Sequence, residues 1–167
     1  RQRQMCIRDS TNQVDSLLGL YFEKFNLEGD TKALQFKSYL ANGDSKISTA
    51  VDISNQANEL YNEQRYNEAS NLYELAFSID QYDYTYYQNA ALAHLNLKNY
   101  TKAEEYLDKV IYDFKIEDGK AMFYKGMLYL AIDQDTKGCD YLNKAVQAGL
   151  SGEGSLVVYN RFCTNSP

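Results

Sequence analysis

An all-α fold is predicted by two features of this sequence. The 167 residues include one proline, Pro167 at the last position, and no Gly/Ser-rich linker. A chain otherwise rich in Ala, Leu, Glu and Lys has little to break helices and much to build them. The second feature is internal repetition. NEQRYNEASNLYELAFSI from Asn62, NLKNYTKAEEYLDKVIYD from Asn96 and AIDQDTKGCDYLNKAVQA from Ala131 align at intervals of 34 and 35 residues. A period of that size means stacked units rather than one closed core.

The elements follow in chain order. RQRQMCIRDS, residues 1–10, back-translates with allowed codons to the transposase adapter used to prepare sequencing libraries. It is therefore read as a non-native adapter-derived segment and set aside. Without Arg1, Arg3, Arg8 and Asp9 the 17 basic residues become 14 and the 23 acidic ones 22, so the net charge is −8 instead of −6. A chain this acidic repels phosphate backbones, which argues against nucleic acid as a partner. No apolar run approaches the roughly 20 residues that span a bilayer.

Residues 11–45 are predicted to form a helical pair, Gln13 to Asn26 and Thr31 to Asn42, with Asn42-Gly43 as a stop signal. The pair is either a degenerate repeat or the tail of an upstream domain. Three repeats follow, at about 50–83, 84–117 and 119–151. Their paired helices are predicted at 46–64 and 66–79, 83–97 and 101–112, and 119–132 and 135–148. Thr101 with Glu104 has the form of a capping box at the start of the second repeat's outer helix. Residues 152–163 are expected to be one capping helix, since a solenoid must cover its last apolar face.

Three positions per repeat hold small residues: Ala57, Ala69, Ala76; Ala91, Ala103, Val110; Gly126, Gly138, Ala145. Eight of these nine are Ala or Gly, although those types make up about one residue in seven of the chain. Large apolar residues alternate with them, namely Ile53, Tyr87 and Met122 in the first helices and Tyr73, Leu107 and Leu142 in the second. This pattern resembles the tetratricopeptide repeat, over roughly Ala50 to Gly149. The resemblance implies a right-handed superhelix of helical hairpins with a C-terminal capping helix. Two departures stand out. The proline that ends the second helix is replaced by Gln81 and Lys115, and a slot that usually carries leucine holds Gln56 and Lys125.

In that family the first helices line a concave groove that takes up peptides or helices of partner proteins. Mapped onto this chain, the peptide-binding positions are Asn58, Tyr61 and Asn62, then Gln88, Asn89, Leu92 and Asn96, then Lys120, Phe123 and Met127. The same mapping places Val51, Ser54, Thr85 and Leu130 on the groove face, whereas Tyr82, Tyr84, Tyr86 and Tyr87 crowd the junction between the first two repeats and read as packing aromatics rather than a patch for a partner. One subfamily clamps the C-terminal carboxylate of chaperones with lysines, asparagines and an arginine. Asn58, Asn89 and Lys120 match that clamp, whereas Ser54 and Tyr124 replace two of its three cations. Charge-assisted bonds carry such recognition, so the groove predicts backbone hydrogen bonding to an extended segment with one or two apolar anchors.

Little else carries chemistry. His94, the only histidine, falls on a packing position, and no nucleophile–base arrangement surrounds it. Asp133 to Gly138 has the opening of a calcium loop, but Lys137 and Lys144 stand where ligands belong, so it reads as a helix–helix turn. No cofactor and no metal are implied. Cys139 and Cys163 lie 11 residues before and 13 after residue 150. At about 1.5 Å rise per residue an antiparallel pair of helices puts them level to within roughly 3 Å. They are either a disulfide stapling the cap to the last repeat or two reduced thiols. KGMLYLAIDQDTKGCDYLNKAVQAGL followed by YNRFC is similar to the closing repeat of tetratricopeptide proteins from the Bacteroidota, many of which carry export signals. That similarity favours a periplasmic or envelope location over the cytoplasm.

The expected function is a non-enzymatic protein- or peptide-binding scaffold. The alternatives are an accessory or sensor segment of a larger signalling protein or enzyme, truncated at its N-terminus, and a co-chaperone.

Overall fold

The computed structural model describes Leu20, residues 29–150 and residues 153–164. The adapter-like decapeptide and all but Leu20 of the predicted helix Gln13 to Asn26 lie outside the described residues.

The described helices follow in this order: α1 (Thr31–Asn62), α2 (Tyr66–Ile79), α3 (Tyr84–Asn96), α4 (Tyr100–Asp108), α5 (Lys120–Ala131), α6 (Asp135–Gln147) and α7 (Glu153–Cys163). Among the described residues there is no strand. α1 is broken at Gly43 (φ 71°, ψ 162°), so its second limb pairs with α2 while its first limb leads elsewhere. α3 pairs with α4 and α5 with α6, each hairpin stacks on the one before, and α7 closes the array against α6.

The hairpin turns are built alike, because the same local problem recurs in each repeat. Gln64, Lys98 and Asp133 all take left-handed backbone (φ 62°, 58° and 57°). The N–H that follows each reaches back to the preceding helix: Arg65 to Leu60 O, Asn99 to His94 O and Gln134 to Tyr129 O, at 2.9 Å. This closure satisfies carbonyls at the helix end, and it normally employs glycine because a Cβ is strained there. Lys98→Gly is therefore expected to stabilise the protein by about 1 kcal/mol, read as a raised thermal midpoint. An unchanged or lowered midpoint would mean that Lys98 carries no strain.

All nine small-residue positions are buried, and seven of them, the two glycines apart, are alanines and valine at 0% or near it. The two glycines show why size matters. A Cβ on Gly126 would lie 2.8 Å from Leu142 Cγ and 3.0 Å from Gly138 O, and one on Gly138 would meet Leu130 Cδ2 at 2.8 Å. α5 and α6 touch backbone to backbone at this point. Between the small positions sit the large ones, with Tyr73, Leu107 and Leu142 at 2%, 0% and 1% exposure. A stack of Phe77 on Tyr87 (centroids 4.2 Å apart) joins the first two repeats.

Three local features differ from expectation. The capping box at Thr101 and Glu104 does not form: α4 starts one residue earlier, at Tyr100, with Asn99 as an N-cap lacking a side-chain bond. Glu104 instead accepts a hydrogen bond from Tyr129 Oη. The second helix of the middle repeat ends in a widened π-turn, Lys109–Asp113, where Phe114 N–H bonds Lys109 O. Such a turn holds one residue more than an α-turn, which matches the 35-residue interval across this region. The extra residue therefore enters within Lys109–Asp113. Finally, Lys125, in a slot that usually carries leucine, is 2% exposed and paired with Asp108. Its ammonium lies 5.3, 5.9 and 5.0 Å from the ring centroids of Tyr112, Tyr129 and Tyr141. The aliphatic stem fills the apolar slot and the charged head is held by three aromatic faces and one carboxylate.

The first limb of α1 crosses the turns between successive hairpins. Asp30 caps it by accepting from the N–H groups of Lys32 (2.8 Å) and Ala33 (3.2 Å). Gly29 approaches Lys115 O, and Leu34 packs beside Phe114 and Tyr84. Nearer the break, Ser38 Oγ and Asn42 Nδ2 donate to Asp80, at 2.7 and 3.0 Å. The limb thus bridges the end of the first hairpin and the end of the second, and no described helix pairs with it as a hairpin partner.

Candidate peptide-binding groove

The second limb of α1, then α3 and α5, supply the inner helices of the stack. Asn58, Tyr61 and Asn62 are carried by α1, Gln88, Asn89, Leu92 and Asn96 by α3, and Lys120, Phe123 and Met127 by α5. Asn58, Asn62, Asn96 and Lys120 are exposed, and Tyr61, Asn89, Leu92, Phe123 and Met127 are half-buried. Gln88 is different. It is 2% exposed, and its Nε2 has no hydrogen-bond partner, so it is not presented on the groove surface. The central helix α3 is covered from both sides, and its turn facing the neighbouring repeat is packed over. Ser54, at the equivalent place in the first repeat, is likewise buried at 7%.

Two contacts order the polar side chains. Tyr73 Oη on the outer helix α2 donates to Asn58 Oδ1 at 2.6 Å. Burial, then the nearby Tyr61 phenol, push the Tyr73 pKa up to about 12, so the hydroxyl remains a donor near neutrality. With Oδ1 engaged, the Asn58 amide has a set orientation and its Nδ2 donor is left for a ligand. Between repeats, Asn96 Nδ2 donates to Tyr61 Oη at 2.8 Å and to Leu92 O at 2.9 Å. Tyr73 is legible in the sequence as a packing residue, but nothing in the repeat pattern marks it as the group that orients Asn58.

The third repeat brings aromatic surface. Lys120 Nζ lies 5.9 Å from the centroid of Tyr124, whose ring is 5.9 Å from that of Phe123. Burial first, then the neighbouring Tyr61 phenol and Asp118 carboxylate, raise the Tyr124 pKa. Tyr124 therefore offers a neutral hydroxyl where the chaperone clamp has an arginine. Of the three clamp cations only Lys120 is present.

His94 sits in a structural knot. It is 5% exposed, and its Nε2 lies 2.9 Å from Glu74 Oε1. The same oxygen accepts from Lys102 Nζ at 2.8 Å and Tyr106 Oη at 3.0 Å. Burial alone would raise the Glu74 pKa, but hydrogen bonds from Lys102, His94 and Tyr106 more than offset it and hold the carboxyl below its ordinary range. These contacts tie α2 to α3 and α4. At the C-terminal end, Cys139 on α6 and Cys163 on α7 are joined by a disulfide with Cα atoms 5.4 Å apart. No described helix is long and apolar enough to cross a membrane.

Comparison with known proteins supports this architecture. No family model matches the chain. Over 65 residues it is 38% identical to the Hsp70-Hsp90 organising protein of Plasmodium falciparum (isolate 3D7), a stretch that is 37% of this chain and 12% of that protein. The chain thus corresponds to a small part of that relative's length. Among solved structures it is similar to the Arabidopsis OM64 TPR domain, with TM-score 0.65 and 21% identity over 72% of this chain and 99% of that one. It is also similar to the first TPR of Spaghetti (RPAP3) bound to the HSP90 peptide SRMEEVD, with TM-score 0.62 and 17% identity over 68% and 89% of the two chains. The Sgt2 TPR domain from Aspergillus fumigatus gives TM-score 0.58 and 20% identity over 68% and 78%. The fold is that of a tetratricopeptide helical solenoid.

Proposed function

We propose that this chain is a non-enzymatic scaffold that binds an extended segment of a partner protein along the groove formed by α1, α3 and α5. The observation that carries this reading is the oriented Asn58 amide, held by Tyr73 with its donor left over, and the next inner helix carries a further amide at Asn89. Amides spaced along a concave face suit the backbone of an extended peptide, and Leu92, Phe123 and Met127 suit one or two apolar side chains. The similar RPAP3 domain, solved with a bound peptide, supports the same use of the fold. The similarity of the last repeat to Bacteroidota proteins supports a bacterial origin and an envelope location.

The chemistry of the groove separates this reading from a co-chaperone. With Ser54 buried and Tyr124 in the place of an arginine, the carboxylates of SRMEEVD would meet one lysine instead of three cations. That heptapeptide is expected to bind weakly or not at all. Peptides selected from a displayed random library should bind the parent protein. They should lose about tenfold affinity or more on Asn58→Asp combined with Asn89→Asp, two hydrogen bonds at about 1 kcal/mol each. Asn58→Asp keeps the acceptor for Tyr73, so the thermal midpoint should stay near that of the parent. Undiminished binding by the double variant would assign the interaction to another face, and tight binding of SRMEEVD would revive the co-chaperone.

A further inference from the structure

Where the first limb of α1 crosses the turn between the first two hairpins it encloses a cavity of about 490 Å³. Its apolar walls are Leu34, Ile47, Val51 and Tyr84, and its charged lining consists of Asp80 and Asp83. Val51 and Thr85, which also line it, are positions mapped to the groove face, so the cavity continues the groove at its edge.

Asp80 is 2% exposed. Among the described residues no cationic side chain lies within ion-pair distance of Asp80 or Asp83. A buried carboxylate without a counter-charge is costly, and neutral hydrogen bonds offset only part of that cost. Asp80 Oδ1 accepts from Asn42 Nδ2 (3.0 Å) and Tyr82 N (3.1 Å), whereas Oδ2 accepts from Ser38 Oγ alone (2.7 Å). Asp83 Oδ1 accepts from Thr85 N (2.9 Å) and Thr85 Oγ1 (2.6 Å) as the cap of α3, and among the described residues the carboxylate is otherwise met only by the Tyr86 hydroxyl. Each carboxylate therefore keeps acceptor capacity on one oxygen. Beside the same two groups the Tyr86 hydroxyl, on a residue 3% exposed, approaches Asp83 without completing a well-formed hydrogen bond.

We propose that this cavity is a binding site for an ammonium group on an aliphatic stem, of the lysine side-chain class, carried by the segment that occupies the groove. This inference rests on the groove reading for its source of the ligand. Walls of Leu34, Ile47 and Val51 match a methylene stem, and the remaining acceptor capacity on one oxygen of each carboxylate matches a point charge. A guanidinium would need both oxygens of one carboxylate for its fork, and Asp80 Oδ1 is already taken.

The test uses Nα-acetyl-lysine-N-methylamide as the probe and its norleucine counterpart as the uncharged control, titrated into ¹⁵N-labelled protein. The lysine probe is expected to give saturable shifts at Leu34, Ile47 and Thr85 at millimolar concentration. The norleucine probe should bind at least tenfold more weakly. Asp80→Asn should weaken the lysine probe by a similar factor. Because Asp80 also holds Ser38 and Asn42, Val51→Lys provides a second variant: its own ammonium would fill the cavity and abolish the shifts while Asp80 stays in place. Absence of saturable shifts with the lysine probe, equal binding of norleucine, or parent-like binding by Val51→Lys would each overturn the proposal. The probe is too short to span the groove. A failure here consequently leaves the library-peptide result on Asn58 and Asn89 standing, and the converse holds as well.

Discussion

Asp108→Ala is expected to destabilise the protein by about 3 kcal/mol, whereas Lys125→Met should stay within about 1 kcal/mol of the parent. The two residues form one ion pair, yet they are not equivalent. The Lys125 side chain is 3% exposed and that of Asp108 is 39% exposed. Removing the aspartate leaves an ammonium enclosed by Tyr112, Tyr129 and Tyr141, whose π faces replace only part of the lost hydration. Removing the lysine instead leaves a carboxylate that turns to water, while methionine fills the apolar slot between the rings. Urea unfolding followed by helical circular dichroism measures both variants. Equal losses would show that the pair contributes symmetrically and that the aromatic enclosure does not matter. A gain from Asp108→Ala would show that the ammonium finds water by another route.

Replacing Cys139 and Cys163 together by serine is expected to lower stability by about 3 kcal/mol under oxidising conditions. The bridge spans 24 residues of sequence, and closing a loop of that size removes entropy from the unfolded chain. It also fixes α7 on the last hairpin. On that helix Leu156, Val157 and Phe162 remain 47%, 62% and 45% exposed, so packing holds much less of it than it holds of the inner helices. Thiol titration of air-exposed protein should find two thiols fewer before reduction than after it. The parent in excess reductant should approach the stability of the double serine variant. Three titratable thiols in the native protein, or no stability difference, would rule out the staple.

The two results bear on different parts of what could be learned from sequence. The repeat was legible because a solenoid gives each unit the same neighbours. Ala69, Ala103 and Gly138 face the same crowded contact, and the same side-chain size recurs there at intervals of 34 and 35 residues. Helix positions followed from that register, since hairpins of equal length must turn at equal places, as Gln64, Lys98 and Asp133 do. The level placement of Cys139 and Cys163 was open to the same reasoning, because two antiparallel helices share one rise per residue.

Other features have no period. The burial of Gln88, the bond from Tyr73 to Asn58, the enclosure of Lys125 and the placement of Asp80 beneath the first limb each join particular side chains. The pairs involved are separated by 15 residues for Tyr73 and Asn58 and 42 for Ser38 and Asp80. A pattern that repeats reports what all units share, and these contacts are what distinguishes one unit from the next. Thr101 and Glu104 show the limit in miniature. Their spacing satisfied a local rule, but Tyr129 on α5 claimed the glutamate. The sequence alone thus determined the class of fold and its repeat. Tertiary structure alone decided which groove side chains are presented, how Asn58 is turned, and where an unpaired carboxylate meets a cavity, because each depends on a neighbour that no repeat predicts.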